Sequence, residues 1–243
     1  MGPGMRRFLF CFGFLLSWTV SVQAADFSKW AVLIVSGDNH AHSGNPSAVF
    51  DNARHDLAAA FTRLGFSPAN IAQFAVSPDP VAQHSENSAI ASTLWDLSSR
   101  APDGCLIYFT SHGTPDGIVI DQRILEPEKL GIIVRNACGS KPSVIVMSAC
   151  FSGQFVRALR GDNRIVLTAA RPDRTSFGCG ESDHYTFFDD CFLRALPMSG
   201  DFPGLGGLVQ QCVAEREQQM GATPPSEPQL DIGSMVGAAF KWR

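Results

Sequence analysis

The chain has 243 residues, 45% of them hydrophobic and 17% charged, with a formal net charge of -4. It is too apolar for a disordered chain, and too acidic, with no Lys/Arg run, for a nucleic-acid surface. Its length suffices to bury a full core.

Read in chain order, the first element is a leader. Arg6 and Arg7 precede an apolar run from Phe8 to Val22 that ends in the small-residue pattern Val22-Gln23-Ala24. This reads as a secretory signal peptide cleaved after Ala24, because the run is short for a membrane span and is followed by a cleavage site. Residues 1–24 are therefore expected to be removed and residues 25–243 to form one domain. The mature protein would be secreted or periplasmic, with no stable membrane anchor.

Short β-branched or apolar runs then alternate with helical patterns, which predicts an α/β domain with a mainly parallel central sheet. Strands are expected at 31–35, 71–76, 106–109, 144–147 and 165–168, with a last short one at 229–232. Helices are expected at 47–64, 89–97, 127–136, 185–196 and around 208–219. In the first of these, Phe50, Ala53, Leu57, Phe61 and Leu64 form one stripe and Gly65 supplies a stop. In open α/β sheets the site lies outside the carboxyl ends of the strands. Two of those ends carry chemistry: one strand runs into Ser111-His112-Gly113, the other into Ala149-Cys150-Phe151-Ser152-Gly153.

A thiol attacks a carbonyl as thiolate, so it needs exposure and a neighbour that takes its proton. Cys150 ends a buried strand ahead of small residues that allow a tight turn. His112, ending a neighbouring strand, can take the proton and return it to a leaving amine. The Gly113 N–H can point at a developing oxyanion, joined by that of Cys150. Six cysteines remain after Cys11 is lost with the leader. With Cys150 kept as a thiol, at most two disulfides form among the other five, and Cys105 with Cys138 is the attractive pair. No C-x-x-C spacing occurs and no G-x-G-x-x-G follows the first strand, so neither a metal nor a cofactor is expected. His40 and His42 read as loop residues, and His55 and His184 as surface residues.

The segments YFTSHG, MSACFSG and LTAARPDRTSFGC, in this order and spacing, resemble the legumain-like peptidases of family C13, of the caspase-type clan. The resemblance runs from about Trp30 to at least Leu196. It implies a caspase-like three-layer sandwich, with the family's histidine at His112 and its nucleophile at Cys150. By the same resemblance Asn52 supports the histidine, and Arg54, Ser176 and Asp190 line the pocket for the P1 side chain. Legumains carry a glutamate in that pocket two residues before the nucleophile, where this chain has Ser148. The function implied is an exported cysteine endopeptidase acting on peptide or protein substrates, cleaving after Asn with Asp tolerated. Two other functions fit the same residues: a transpeptidase or ligase using the same acyl-enzyme, and a secreted binding protein that keeps the fold without turnover.

Overall fold

The computed structural model describes residues 1–2 and 25–242; the expected leader lies almost wholly outside them. A seven-stranded sheet forms the centre, built from β1 (Trp30–Ser36), β2 (Ile71–Ala75), β3 (Gln83–His84), β4 (Gly104–Thr110), β8 (Ser143–Ser148), β9 (Arg164–Thr168) and β10 (Gln229–Ile232). The spatial order is β10-β9-β8-β4-β1-β2-β3. All neighbours are parallel except β10, which runs antiparallel to β9. Strands β1, β4, β8 and β9 are buried along their whole length. Burial on both faces explains why they read as unbroken apolar runs rather than as alternating ones.

The pleat divides these side chains between two helical layers. Val32, Ile34, Leu106 and Val146 pack on α1 (Val49–Arg63), α5 (Phe187–Ala195) and α6 (Phe202–Met220), through Leu57, Phe61, Phe192 and Val209. Leu33, Val35, Ile107 and Ile145 pack on α2 (Asn87–Arg100), α3 (Pro127–Cys138) and the short α4 (Val156–Leu159), through Ile90, Leu94, Leu130 and Leu159. The three-layer α/β architecture expected from the sequence is therefore the one observed. Not anticipated was a small antiparallel sheet of β5 (Gly113–Thr114), β6 (Gly117–Ile120) and β7 (Arg123–Leu125) between β4 and α3.

Disulfides tie Cys105 on β4 to Cys138 at the end of α3, and Cys191 on α5 to Cys212 on α6. The first staples α3 to the central sheet, and the second joins two helices of one layer. Cys150 and Cys179 remain free thiols. Among the described residues no helix is long and apolar enough to cross a membrane.

From β1 the chain moves outward to β2 and β3, then returns to the other side of β1 as β4. The order reverses between β1 and β4. Loops leaving their carboxyl ends diverge there and open a crevice, the position where such sheets bind ligands.

Candidate active site

The nucleophile candidate sits on a tight, pinned turn. Phe151, directly after Cys150, adopts φ 57°, a left-handed conformation that costs a bulky residue about 1–2 kcal/mol. Three contacts hold the turn in this state. The Phe151 N–H donates to Arg174 O at 2.7 Å, and the Ala170 N–H donates to Ser152 Oγ at 3.1 Å. Gly153 packs so closely on Pro172 and Ala170 that a Cβ there would lie 2.6 Å from Pro172 Cδ and 2.8 Å from Ala170 O. Cys150 itself is partly exposed. Its Sγ accepts from the Ser176 N–H at 3.2 Å and lies 3.6 Å from both Ser176 O and Ser176 Oγ.

His112 reaches the same place from β4. Gly113 abuts the backbone of Cys150: a Cβ on it would lie 2.0 Å from the Cys150 carbonyl oxygen. Only a residue without a side chain permits this approach. The His112 carbonyl accepts from the Val119 N–H at 2.9 Å, which makes 112 and 119 a hydrogen-bonded pair of the β5–β6 hairpin. The next pair, Gly113 with Ile118, is then a non-hydrogen-bonded one, so the Gly113 N–H points out of the ladder and is available to an oxyanion.

The imidazole is fixed on two sides. Its Nε2 lies 3.1 Å from the carbonyl oxygen of His40, and the ring meets Phe50 edge-on at 5.0 Å between centroids. A carbonyl only accepts, so Nε2 carries the hydrogen and Nδ1 is the nitrogen with a lone pair for a proton. Asp38 Oδ1 in turn accepts from the Asn39 N–H, the His40 N–H and His40 Nδ1, which holds the loop in place.

This corrects the expected role of Asn52. Its amide donates to the carbonyl oxygen of His184 at 3.1 Å and lies 3.2 Å from His184 Nδ1, and the support for His112 comes from the His40 carbonyl. A backbone oxygen leaves no trace in residue identity, so sequence reasoning had no signal for it.

The expected P1 pocket is likewise not assembled from the residues assigned to it. Of the four, only Ser176 touches Cys150. Arg54 is fully buried, and its guanidinium donates to both oxygens of Asp51, to Gln73 Oε1 at 2.5 Å and to Asp79 Oδ2 at 2.8 Å. Asp190 pairs with Arg216 and Arg194 and lines a cavity of about 650 Å³ between α1 and α5, together with Asp56, Tyr185 and Leu193. Ser148 is buried and faces α5, with its Oγ 3.4 Å from Thr186 Oγ1.

The neighbouring acid Asp189 lies beneath the two reactive strand ends. It accepts from Tyr108 Oη at 2.7 Å and Thr110 Oγ1 at 2.6 Å. Complete burial pushes its carboxyl pKa up, against the pull of these hydroxyl donors. Beside Cys150, burial first and then the charges of Cys150 and Asp183 raise the Cys179 thiol to about 11. Among the described residues no cluster of His, Cys, Asp and Glu could hold a metal ion.

The arrangement offers groups suited to acyl transfer: a positioned thiol, an imidazole whose Nδ1 is left over by the His40 contact, and the Gly113 N–H pointing out of its ladder. The chain matches the model of the Peptidase C13 family over residues 81–199. It is similar in structure to caspase-1 from Spodoptera frugiperda, with 15% identity, a TM-score of 0.63 and coverage of 87% of this chain and 89% of that one. At such low identity the likeness concerns the fold. No curated protein matches in sequence. Over residues 81–199, which hold both His112 and Cys150, the chain is similar to the Peptidase C13 family, and its fold is caspase-like.

Proposed function

We propose that the chain is an exported endopeptidase that hydrolyses peptide bonds with Cys150 as nucleophile and His112 as acid and base. The observation that carries this reading is the contact of Gly113 with the Cys150 backbone, combined with a His112 ring whose Nε2 is already committed to His40. Nδ1 takes the thiol proton, Sγ attacks the scissile carbonyl, and the oxyanion is met by the N–H groups of Gly113 and Cys150. The imidazolium then protonates the leaving amine. Water, activated by the same ring, releases the acid and restores the thiol.

For the P1 residue we propose asparagine. An amide side chain needs uncharged donors and acceptors, and Ser176, against Cys150, offers both. From the sequence, Arg54 is expected as a donor to a carboxylate or an amide oxygen at P1, with aspartate tolerated increasingly as pH falls and carboxylates gain protons. With that guanidinium committed to Asp51, Gln73 and Asp79, aspartate loses its support. Export follows from the leader sequence at residues 1–24.

The test is hydrolysis of a peptide library by the parent protein, Cys150→Ala and His112→Ala. Loss of turnover in both variants, each with unchanged melting, supports the dyad. Turnover in either contradicts it, and dominant cleavage after Lys or Arg contradicts the P1 reading alone.

A further inference from the structure

We propose that Asp189 is a positioning residue of the Cys150 and His112 centre, its carboxylate fixing the last rung of the ladder between β4 and β8. The proposal rests on the reading of those two residues as the reacting pair. Thr110 and Ser148 are direct partners in the parallel register, and the Ser111 N–H donates to Ser148 O at 3.1 Å. His112 follows Thr110 by two residues, and Cys150 follows Ser148 by two. The geometry of this rung therefore sets how the two reactive side chains start toward each other.

Asp189 is fully buried and closes the rung from the α5 side. Its Oδ2 accepts from Thr110 Oγ1 at 2.6 Å and its Oδ1 from Tyr108 Oη at 2.7 Å, both on β4. On β8, Ser148 Oγ lies 3.4 Å from Thr186 Oγ1. That oxygen also accepts from the Asp189 N–H at 3.0 Å, capping α5. One carboxylate and four hydroxyls thus join two strand ends to the first turn of a helix, with no cation among the described partners.

An unpaired carboxylate is costly to bury, and an apolar side chain of similar volume would fill the space without that cost. What the carboxylate adds is directional: short hydrogen bonds from hydroxyls to a charged acceptor fix distance and angle. The N-terminus of α5 supplies the favourable field that a cation would otherwise provide. Tyr108, whose phenol is held well above its usual range by burial and by this neighbour, remains a donor.

The test compares Asp189→Asn, Thr110→Val and Thr110→Ser with the parent protein. One readout is kcat and KM on a peptide substrate; the other is the rate of Cys150 alkylation by iodoacetamide from about pH 5 to about pH 9. Asp189→Asn is expected to lower kcat about 10- to 100-fold with KM changed less than about threefold, and to alter the alkylation profile. Thr110→Val shifts both in the same direction, and Thr110→Ser, which keeps the hydroxyl, restores them. A folded Asp189→Asn with parental kcat and alkylation profile would overturn the proposal. Should that variant not fold, equal kcat and alkylation in Thr110→Val and Thr110→Ser would overturn it instead. Alkylation needs no turnover, so this outcome is distinguishable from failure of the peptidase reading, which Cys150→Ala decides.

Discussion

Gly113→Ala is the substitution whose effect the geometry fixes most closely. The new Cβ would lie 2.0 Å from the Cys150 carbonyl oxygen, 2.9 Å from its carbon and 3.1 Å from its nitrogen. A relaxed carbon–oxygen contact needs about 3.3 Å, so the two segments must part by about 1.3 Å. Both sides of the clash are backbone, and no rotamer change relieves it. A displacement of about 1 Å at the reacting groups costs about 100-fold in rate, equivalent to about 2.7 kcal/mol of transition-state stabilisation. The overpacking itself should cost about 1–3 kcal/mol of stability. Steady-state kcat/KM on a peptide substrate, with thermal melting of the same samples, measures both. Gly207→Ala is the control: it lies within α6 with no neighbour inside 4 Å, and should gain about 0.5–1 kcal/mol at full activity. A Gly113→Ala protein within about threefold of parental kcat/KM would refute the close approach of His112-Gly113 to Cys150.

Arg54→Ala should lower stability by about 2–3 kcal/mol, since it removes a buried guanidinium from Gln73 and two carboxylates, while leaving the P1 profile unchanged. A changed profile in the peptide library would return Arg54 to the pocket. Cys179, with its thiol near 11, holds about one part in a thousand as thiolate at pH 8, so iodoacetamide should label Cys150 and spare Cys179. Peptide mapping that found Cys179 modified first would contradict this. The same shift has a stability consequence: between about pH 9 and 11 the unfolded thiol loses its proton while the folded one keeps it. Stability should therefore fall as pH rises through that window, and Cys179→Ser should flatten the fall. Melting curves showing no difference between the two proteins there would count against it.

The core strands were legible because they are buried on both faces, and unbroken runs such as Val144-Ile145-Val146-Met147 have few other readings. The hairpin from Gly113 to Leu125 was not: its strands hold two to four residues and no period can develop over that length. At the site, residues acting through position at a strand end could be found, whereas His40 acts through its carbonyl and could not. The acid on α5 shows a different limit. Asp189 and Asp190 are adjacent, and about 100° of helical phase separates a buried partner of Tyr108 from a partly exposed partner of Arg216. Arg54 did carry a signal. It lies four residues after Phe50 and three before Leu57, inside the apolar stripe of α1, which already argued for burial among partners rather than for a pocket.

The central claim is tested most directly by a thiol-reactive peptide electrophile with asparagine at P1, followed by intact-mass analysis of the parent protein, Cys150→Ala and His112→Ala. The account predicts a single covalent adduct on the parent, mapped to Cys150, none on Cys150→Ala, and slow labelling of His112→Ala. An adduct of equal rate and yield on Cys150→Ala, or one mapped to Cys179 in the parent, would contradict it.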